Sequence, residues 1–360
     1  MLSTDVIIMD FSKAFDKVSH NRLLYKLEKY GITGDTLLWI RAFLNNRQQC
    51  VVVDGERSEF TPVLSGVPQG SVIGPILFLV YINDLPDNIR STVRLFADDT
   101  IIYLAVTSDV SCKQLEMDLD ALQEWEITWR MEFNTTKCEV MRISRSKQQI
   151  QHTYYLHGDP LTEVKQTKYL GVHISHDLKW NKHINDITAK ANRSLGFLKR
   201  NLRINSPSLK AKAYQGLVRP KLEYCASVWD PRPRVQSRAA RWFLRRYGRT
   251  DSVTAMREEL GWRSLEQRRA DSRLTTLFKI TRGLLSVDTK GLLRPVTRQT
   301  RRTHAESFIP LCTPTTSEHL SFFPRTIIQW NNLPASMFNN LSSLTVFKEK
   351  LICVNHLPVN

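Results

Sequence analysis

Two short apolar runs with two adjacent carboxylates between them constrain the fold of this chain more than any other feature. Val93–Phe96 and Ile101–Ala105 are rich in β-branched and large apolar residues, which favour strands. Only Ala97–Thr100 (ADDT) separates them, so we expect a hairpin with Asp98 and Asp99 at its tip. Adjacent carboxylates repel each other, and a β-turn does not require them. Bound divalent cations would explain the pair, because Mg²⁺ prefers carboxylate oxygens.

A third carboxylate follows the first apolar segment of the chain. Asp5–Phe11 (DVIIMDF) predicts a buried strand, with Asp10 near its end. If this strand lies beside the hairpin, Asp10 and Asp98 meet at one edge of a sheet. Two metal ions about 3.5–4 Å apart could then activate a 3′-hydroxyl and neutralise a leaving pyrophosphate. Taken alone, an Asp-Asp pair usually marks an ordinary turn, so this hypothesis depends on all three acids together.

Periodicity and turn residues predict the remaining elements. After Asp177 the pattern becomes largely helical, with a break expected over the Arg/Pro stretch Asp230–Arg234. We expect strands at Cys138–Ser144 and Lys168–Ile174, a hairpin formed by Gln49–Val53 and Ser58–Val63, an apolar segment at Ile76–Leu85, and helices at Asn21–Tyr30, Asp35–Leu44, Leu115–Trp129, Ala189–Leu202, Leu209–Tyr224 and Arg238–Arg246.

Positive charge is concentrated in one part of the chain. The whole sequence has 51 Lys and Arg against 35 Asp and Glu, but residues 179–302 hold 30 basic and 9 acidic side chains. Residues 1–178 hold 18 basic and 23 acidic side chains, and residues 303–360 hold three of each. Such a field favours contact with nucleic acid over a merely solvated surface or an acidic membrane. Many of the charges are arginines: Arg232, Arg234, Arg238, Arg241, Arg245, Arg246, Arg249, Arg268, Arg269, Arg298, Arg301 and Arg302.

Composition excludes several classes of protein. Hydrophobic residues make up 42% of 360 residues, enough for a core in about two domains. The most apolar stretch, Ile76–Ile82, is far shorter than the roughly 20 residues of a membrane span. The N-terminus has no signal-peptide pattern, so we expect an intracellular protein, in the nucleus or cytoplasm. The six cysteines are scattered, and no Cys or His spacing predicts a structural zinc site.

Five segments together resemble the palm motifs of reverse transcriptases from non-LTR retrotransposons, and they occur in the expected order. Two further segments resemble the tail of jockey-type elements. The palm-like segments are Asp10–His20 (DFSKAFDKVSH), Ser65–Pro75 (SGVPQGSVIGP), Phe96–Asp99 (FADD), Asn134–Cys138 (NTTKC) and Lys168–Val172 (KYLGV); the tail-like segments are Phe323–Arg325 (FPR) and Trp330–Pro334 (WNNLP).

The resemblance implies an α+β fold and a polymerase. Residues 1–178 would form a palm, an antiparallel sheet with packed helices, without its fingers. Residues 179–290 would form a basic helical thumb and connection, and residues 291–360 the C-terminal segment of jockey-type elements. The implied activity is RNA-directed DNA synthesis, with transfer from a dNTP to a DNA primer 3′-hydroxyl on an RNA template.

The resemblance also implies the catalytic residues. Asp10, Asp98 and Asp99 would hold two Mg²⁺ ions, and the backbone carbonyl of Phe11 would add a ligand. Lys137 is a candidate general acid or charge partner for the pyrophosphate, with a solvated lysine as the alternative.

Other matched positions would contact the substrates. Phe15 would stand under the sugar and exclude a 2′-hydroxyl, unless it is simply a core aromatic. Gln69 and Gly70 would approach the nucleotide and template in a glycine-punctuated loop that could also be an ordinary turn. Leu170 and Gly171 would grip the primer end.

The chain begins almost at the catalytic strand, so we expect a truncated element copy or a gene-model fragment, without fingers or endonuclease. A remnant that is inactive and at most binds nucleic acid is therefore the alternative function. A relative of group II intron maturases or telomerase is a third possibility, and the Trp330–Pro334 segment argues against it.

Overall fold

The structure is a computed structural model that describes residues 3–144, 150–202, 206–229, 235–248, 250–297, 304–313, 315–341 and 343–354. It divides into two compact units, Met1–Lys179 and Trp180–Asn360. The Arg/Pro break predicted at Asp230–Arg234 lies outside the described residues. No helix in the described ranges is long and apolar enough to cross a membrane.

The first unit mixes strands and helices. Its strands are β1 (Ser3–Met9), β2 (Gln48–Gln49), β3 (Val52–Val53), β4 (Glu56–Arg57), β5 (Thr61–Pro62), β6 (Thr92–Phe96), β7 (Asp99–Val106), β8 (Glu139–Ile143), β9 (Tyr155–Leu156), β10 (Asp159–Pro160), β11 (Thr162–Glu163), β12 (Gln166–Tyr169) and β13 (Val172–Ser175). Its helices are α1 (Ala14–Lys17), α2 (His20–Lys29), α3 (Gly34–Leu44), α4 (Gly74–Ile82) and α5 (Asp109–Trp129), with a 3₁₀ turn at Thr135–Lys137.

A five-stranded sheet, ordered β11-β8-β1-β7-β6, organises the first unit. β1 pairs antiparallel with β7 on one side and with β8 on the other, so its apolar run is central. Ile7 and Met9 of β1 are fully buried and share one core with apolar residues of α2, α4 and α5. The predicted α+β class is confirmed.

Two hairpins of the first unit differ from the sequence prediction. The turn between β6 and β7 holds two residues, since Phe96 pairs with Asp99. The single strand predicted at Lys168–Ile174 is wrong. It is a hairpin of β12 and β13, because Leu170 and Gly171 adopt φ values of 45° and 81°, which reverse the chain.

The second unit is helical in its regular elements within the described ranges. Its helices are α6 (Asn181–Asn201), α7 (Pro207–Leu217), α8 (Arg219–Glu223), α9 (Val235–Leu244), α10 (Val253–Glu259), α11 (Leu265–Thr281), α12 (Thr316–His319), α13 (Phe322–Asn331) and α14 (Leu344–Cys353), with a 3₁₀ turn at Ala335–Met337. The single helix predicted at Leu209–Tyr224 is wrong: it breaks after Leu217, because Pro220 cannot donate a backbone hydrogen bond within a continuous helix.

The tryptophan of the WNNLP segment is a core residue of this unit. Trp330 is fully buried and packs with Phe278, Phe347 and other apolar side chains. Its Nε1 donates to the carbonyl of Glu306 at 2.7 Å. This local role is structural, whatever the segment's relationship to other proteins.

Candidate active site

The register of the central sheet brings Asp10 and Asp99 to the same end. Met9, the last residue of β1, pairs with Thr100 of β7. Continuing this register by one residue sets Asp10 opposite Asp99. The two acids are 89 positions apart in sequence, and antiparallel pairing makes them neighbours across two adjacent strands.

Asp98 occupies the tip of the adjoining hairpin. Ala97 takes a left-handed φ of 51°, which allows a two-residue turn between Phe96 and Asp99. Asp98 and Asp99 are both half-buried, while the ring of Phe96 is 62% exposed. The turn therefore presents both carboxylates at the end of the sheet where β1 stops.

The electrostatics of Asp99 reflect the charges of the two other acids. Burial raises the pKa of Asp99, and the charges of Asp98 and Asp10 raise it further. Across the described ranges, however, no three His, Cys, Asp or Glu side chains converge closely enough to hold a metal ion. The carboxylates are thus neighbours without forming a closed ligand set in this arrangement.

Lys137 supplies a positive charge to this group. It ends the 3₁₀ turn Thr135–Lys137, and its Nζ lies 2.6 Å from Oδ2 of Asp10. The hydrogen bond and charge of Asp10 raise the pKa of Lys137, so its ammonium remains protonated.

Asn134 is a residue whose role the sequence did not reveal. Its backbone N–H donates to the Asp10 carbonyl at 2.8 Å, and its side chain accepts from the Thr136 backbone. Asn134 thus connects the turn that carries Lys137 to the segment that carries Asp10. The Asn-Thr-Thr sequence signals a cap, but it does not indicate which strand the cap contacts.

Phe11 is buried and stacks on Phe133 with ring centroids 4.2 Å apart. The flanking bonds run from Ser12 N–H to the Glu132 carbonyl and from Asn134 N–H to the Asp10 carbonyl. Phe11 and Phe133 therefore form a non-hydrogen-bonded pair of an antiparallel ladder. In such a pair the carbonyl of Phe11 points away from Phe133 and toward the side of β1 that pairs with β7.

Phe15 is half-buried, and its ring stacks on Phe78 of α4 with a centroid separation of 4.5 Å. One ring face therefore rests on the core that Phe78 belongs to. This packing is compatible with both interpretations of Phe15, a core aromatic and a ring under a sugar.

The second motif is held against the first by backbone contacts. Gly66 N–H donates to the Val18 carbonyl and Val67 N–H to the Phe15 carbonyl, each at 2.8 Å. His20 Nε2 donates to the Gly66 carbonyl, also at 2.8 Å. These bonds fix the beginning of the loop that carries Gln69 and Gly70.

Gln69 and Gly70 themselves are exposed. Nε2 of Gln69 lies 3.5 Å from Oδ1 of Asp16, a long contact. Gly70 has a φ of 83° and open space around its Cα. The structure thus brings this loop beside Asp16, the second acid of the first motif.

Leu170 and Gly171 form the turn of the β12–β13 hairpin. The neighbouring Tyr169 has a raised pKa, caused by burial and then by the charge of Asp99. The turn therefore begins next to a side chain within electrostatic range of the carboxylates.

Comparisons with known proteins point to one family. Residues 2–174 match the family described as reverse transcriptase (RNA-dependent DNA polymerase). The RNA-directed DNA polymerase from mobile element jockey of Drosophila melanogaster is 30% identical over 235 residues, covering 61% of this chain and 25% of that protein. The probable RNA-directed DNA polymerase from transposon X-element of the same species is 26% identical over 233 residues, covering 62% and 25%.

The chain spans about a quarter of the length of these relatives. Among solved structures, apo telomerase from Candida tropicalis aligns with a TM-score of 0.40 at 10% identity, covering 76% of this chain and 45% of that one. A likeness this weak carries no statement about function.

Proposed function

Residues 2–174 belong to the reverse transcriptase (RNA-dependent DNA polymerase) family, and on that premise we propose that the chain catalyses RNA-directed DNA synthesis. The reaction would add dNTPs to the 3′-hydroxyl of a DNA primer on an RNA template, as part of a non-LTR retrotransposon. The observation that carries the proposal is the pairing of β1 with β7, which sets Asp10 beside the Asp98–Asp99 turn.

The family uses divalent metal ions for catalysis, and the chemistry of the donors here fits such ions, although the three carboxylates do not converge on one metal position within the described residues. Asp10, Asp98 and Asp99 offer hard carboxylate oxygens, the ligand type that Mg²⁺ prefers. Their mutual charge raises the pKa of Asp99, and the Lys137 ammonium already offsets the charge of Asp10. We propose that the three acids, with the Phe11 carbonyl, hold two Mg²⁺ ions. When bound, these ions would activate the 3′-hydroxyl and neutralise the pyrophosphate.

The other residues at this end would bind and orient the substrates. Phe15, supported from below by Phe78, would contact the deoxyribose and exclude a 2′-hydroxyl. Gln69 and Gly70 would contact the incoming nucleotide and the template. Lys137 is held protonated, so it could neutralise or protonate the pyrophosphate.

The remaining assignments extend the proposal to the whole chain. Residues 1–178 would be the palm, residues 179–290 the thumb and connection, and residues 291–360 the C-terminal segment of jockey-type elements. Leu170 and Gly171 would hold the primer end. The basic segment 179–302 would contact template and primer phosphates, which position a duplex without reading its sequence. An intracellular location belongs to this proposal.

Primer extension on an RNA template with Mg²⁺ tests the proposed function. We expect incorporation of dNTPs by the parent chain and at least a hundredfold loss in Asp98→Ala and Asp10→Asn, because each removes a metal ligand. Glu124→Ala, which removes an exposed acid of α5, is the matched control and should retain the parent rate.

Equal rates for Asp98→Ala and the parent would show that the assigned site is wrong. Salt-sensitive RNA binding without any incorporation would instead support the inactive, nucleic-acid-binding alternative. Binding should then be the same in the parent and in Asp10→Asn.

A further inference from the structure

One buried carboxylate lies behind the candidate site. Glu126, near the end of α5, is only 3% exposed. Its Oε1 accepts a hydrogen bond from the backbone N–H of Phe133, and its Oε2 lies 2.7 Å from Nε2 of His157. Burial raises the pKa of Glu126, while these two partners lower it. A buried carboxyl group needs such hydrogen-bond partners, so the position of Glu126 is closely specified.

The partner of Glu126 belongs to the segment that pairs with Asp10. Phe133 forms an antiparallel bridge with Phe11, and the flanking Asn134 N–H donates to the Asp10 carbonyl at 2.8 Å. Three residues later, Lys137 reaches the Asp10 carboxylate. Glu126 therefore fixes a segment that contacts Asp10 twice. The Asn134 backbone bonds the Asp10 carbonyl, and the Lys137 side chain bonds the Asp10 carboxylate.

The turn of the β9–β10 hairpin supplies the second partner of Glu126. His157 and Gly158 form the turn between β9 and β10. The His157 backbone N–H donates to Oε1 of Gln123 at 2.8 Å, one turn before Glu126 on α5. The side chain of His157 is 36% exposed, so solvent reaches only its outer part. Two independent hydrogen bonds thus hold this turn on the helix.

We propose that Glu126 and His157 are positioning residues for the metal-binding acid Asp10. They do not contact the reacting groups. They act through Phe133 and Asn134, which set the position of the Asp10 backbone and of the Lys137 side chain. This inference rests on the proposed function.

The chain offers a closely matched control on the same helix. Asp118 is 2% exposed, and its carboxylate accepts the backbone N–H groups of Arg90 and Ser91 at 3.1 and 2.9 Å. It is thus a buried carboxylate that holds a backbone segment, as Glu126 is. The segment it holds, Arg90 and Ser91, precedes the end of β6 farthest from the Asp98–Asp99 turn, and it is not the segment bonded to Asp10.

The test compares Glu126→Ala, Glu126→Gln, His157→Ala and Asp118→Ala in the full chain, with the Mg²⁺ concentration for half-maximal primer extension as the readout. We expect about a tenfold increase in Glu126→Ala and a smaller one in His157→Ala. Glu126→Gln should stay within about twofold of the parent, since an amide oxygen can still accept from Phe133. Asp118→Ala should lower the urea midpoint but shift the Mg²⁺ requirement less than twofold.

Two measurements need no activity and separate this inference from the proposed function. Mn²⁺ binding followed by electron paramagnetic resonance should weaken about tenfold in Glu126→Ala. Hydrogen exchange of the Asn134 amide should become at least tenfold faster. If the parent binds Mn²⁺ but extends no primer, the proposed function fails and these readouts still decide the positioning role. Unchanged Mn²⁺ binding and Asn134 exchange in both Glu126→Ala and His157→Ala, or equal changes in Asp118→Ala, would overturn it.

Discussion

Gly66→Ala is the substitution whose cost the structure specifies most closely. A Cβ on Gly66 would stand 2.8 Å from the Cα of Asp16 and 2.9 Å from the carbonyl oxygens of Asp16 and Phe15. All three atoms belong to the backbone, so no side chain can rotate away. Relief requires the loop to move from the first motif, which lengthens the Gly66–Val18 and Val67–Phe15 hydrogen bonds.

The expected loss of unfolding free energy is about 2.5–3.5 kcal/mol. Gly66 has a φ of 89°, and a left-handed conformation costs an alanine about 1–2 kcal/mol. Weakening two backbone hydrogen bonds adds about 1 kcal/mol each. The lower entropy of the unfolded alanine chain offsets roughly 0.5 kcal/mol of this.

Urea unfolding followed by circular dichroism measures the change. Gly31→Ala is the control, because Gly31 has a similar φ of 85° with no atom within 4 Å of the new Cβ. Its loss should be only about 1 kcal/mol, the cost of the backbone conformation. Equal losses of unfolding free energy in Gly66→Ala and Gly31→Ala would refute the prediction, because they would show that the close approach of the two motifs does not constrain residue 66.

Three further predictions follow from individual contacts. Burial lowers the pKa of Lys26 from 10.5 to about 8, so the unfolded chain binds more protons than the folded chain between these pH values. The free energy of unfolding should therefore rise by up to about 3 kcal/mol as the pH increases from about 8 to 10.5. Lys26→Met should abolish this rise in urea titrations, and a rise that persists in the variant would assign it to other groups. Phe15→Val should reduce the preference for dNTP over rNTP at least tenfold in kcat/KM, because a smaller side chain leaves room for a 2′-hydroxyl; an unchanged ratio would make Phe15 a core residue only. Asn331→Ala should cost about 1–3 kcal/mol in urea unfolding, since the Asn331 side chain accepts from the Phe308 N–H at 3.0 Å and donates to the Phe308 carbonyl at 2.7 Å. Asn332→Ala, at the exposed neighbouring residue, should cost less than about 0.5 kcal/mol, and similar losses in the two variants would contradict this assignment.

Much of the local structure follows from the sequence. The apolar runs around Asp98 and Asp99 predicted a hairpin, and β6 and β7 form it. The Asp54-Gly55 signal predicted another, and β3 and β4 form it with strands of two residues each. The predicted second strand, Ser58–Val63, is wrong in its bounds, because only Thr61–Pro62 of it form a strand, which pairs with Gln48–Gln49. Periodicity and turn residues report backbone preferences and which face is buried, and these are properties of neighbouring residues. The motif order likewise predicted the family, because the residues of each motif are contiguous.

Tertiary structure alone decided which distant segments meet. No local pattern states that β1 lies between β7 and β8, or that Met9 pairs with Thr100, yet this register brings Asp10 opposite Asp99. Glu126 looks like any polar residue of an amphipathic helix, and only the folded chain makes it the acceptor for Phe133. Strand order and register are set by packing summed over the whole core, so they are not encoded in any single stretch of residues.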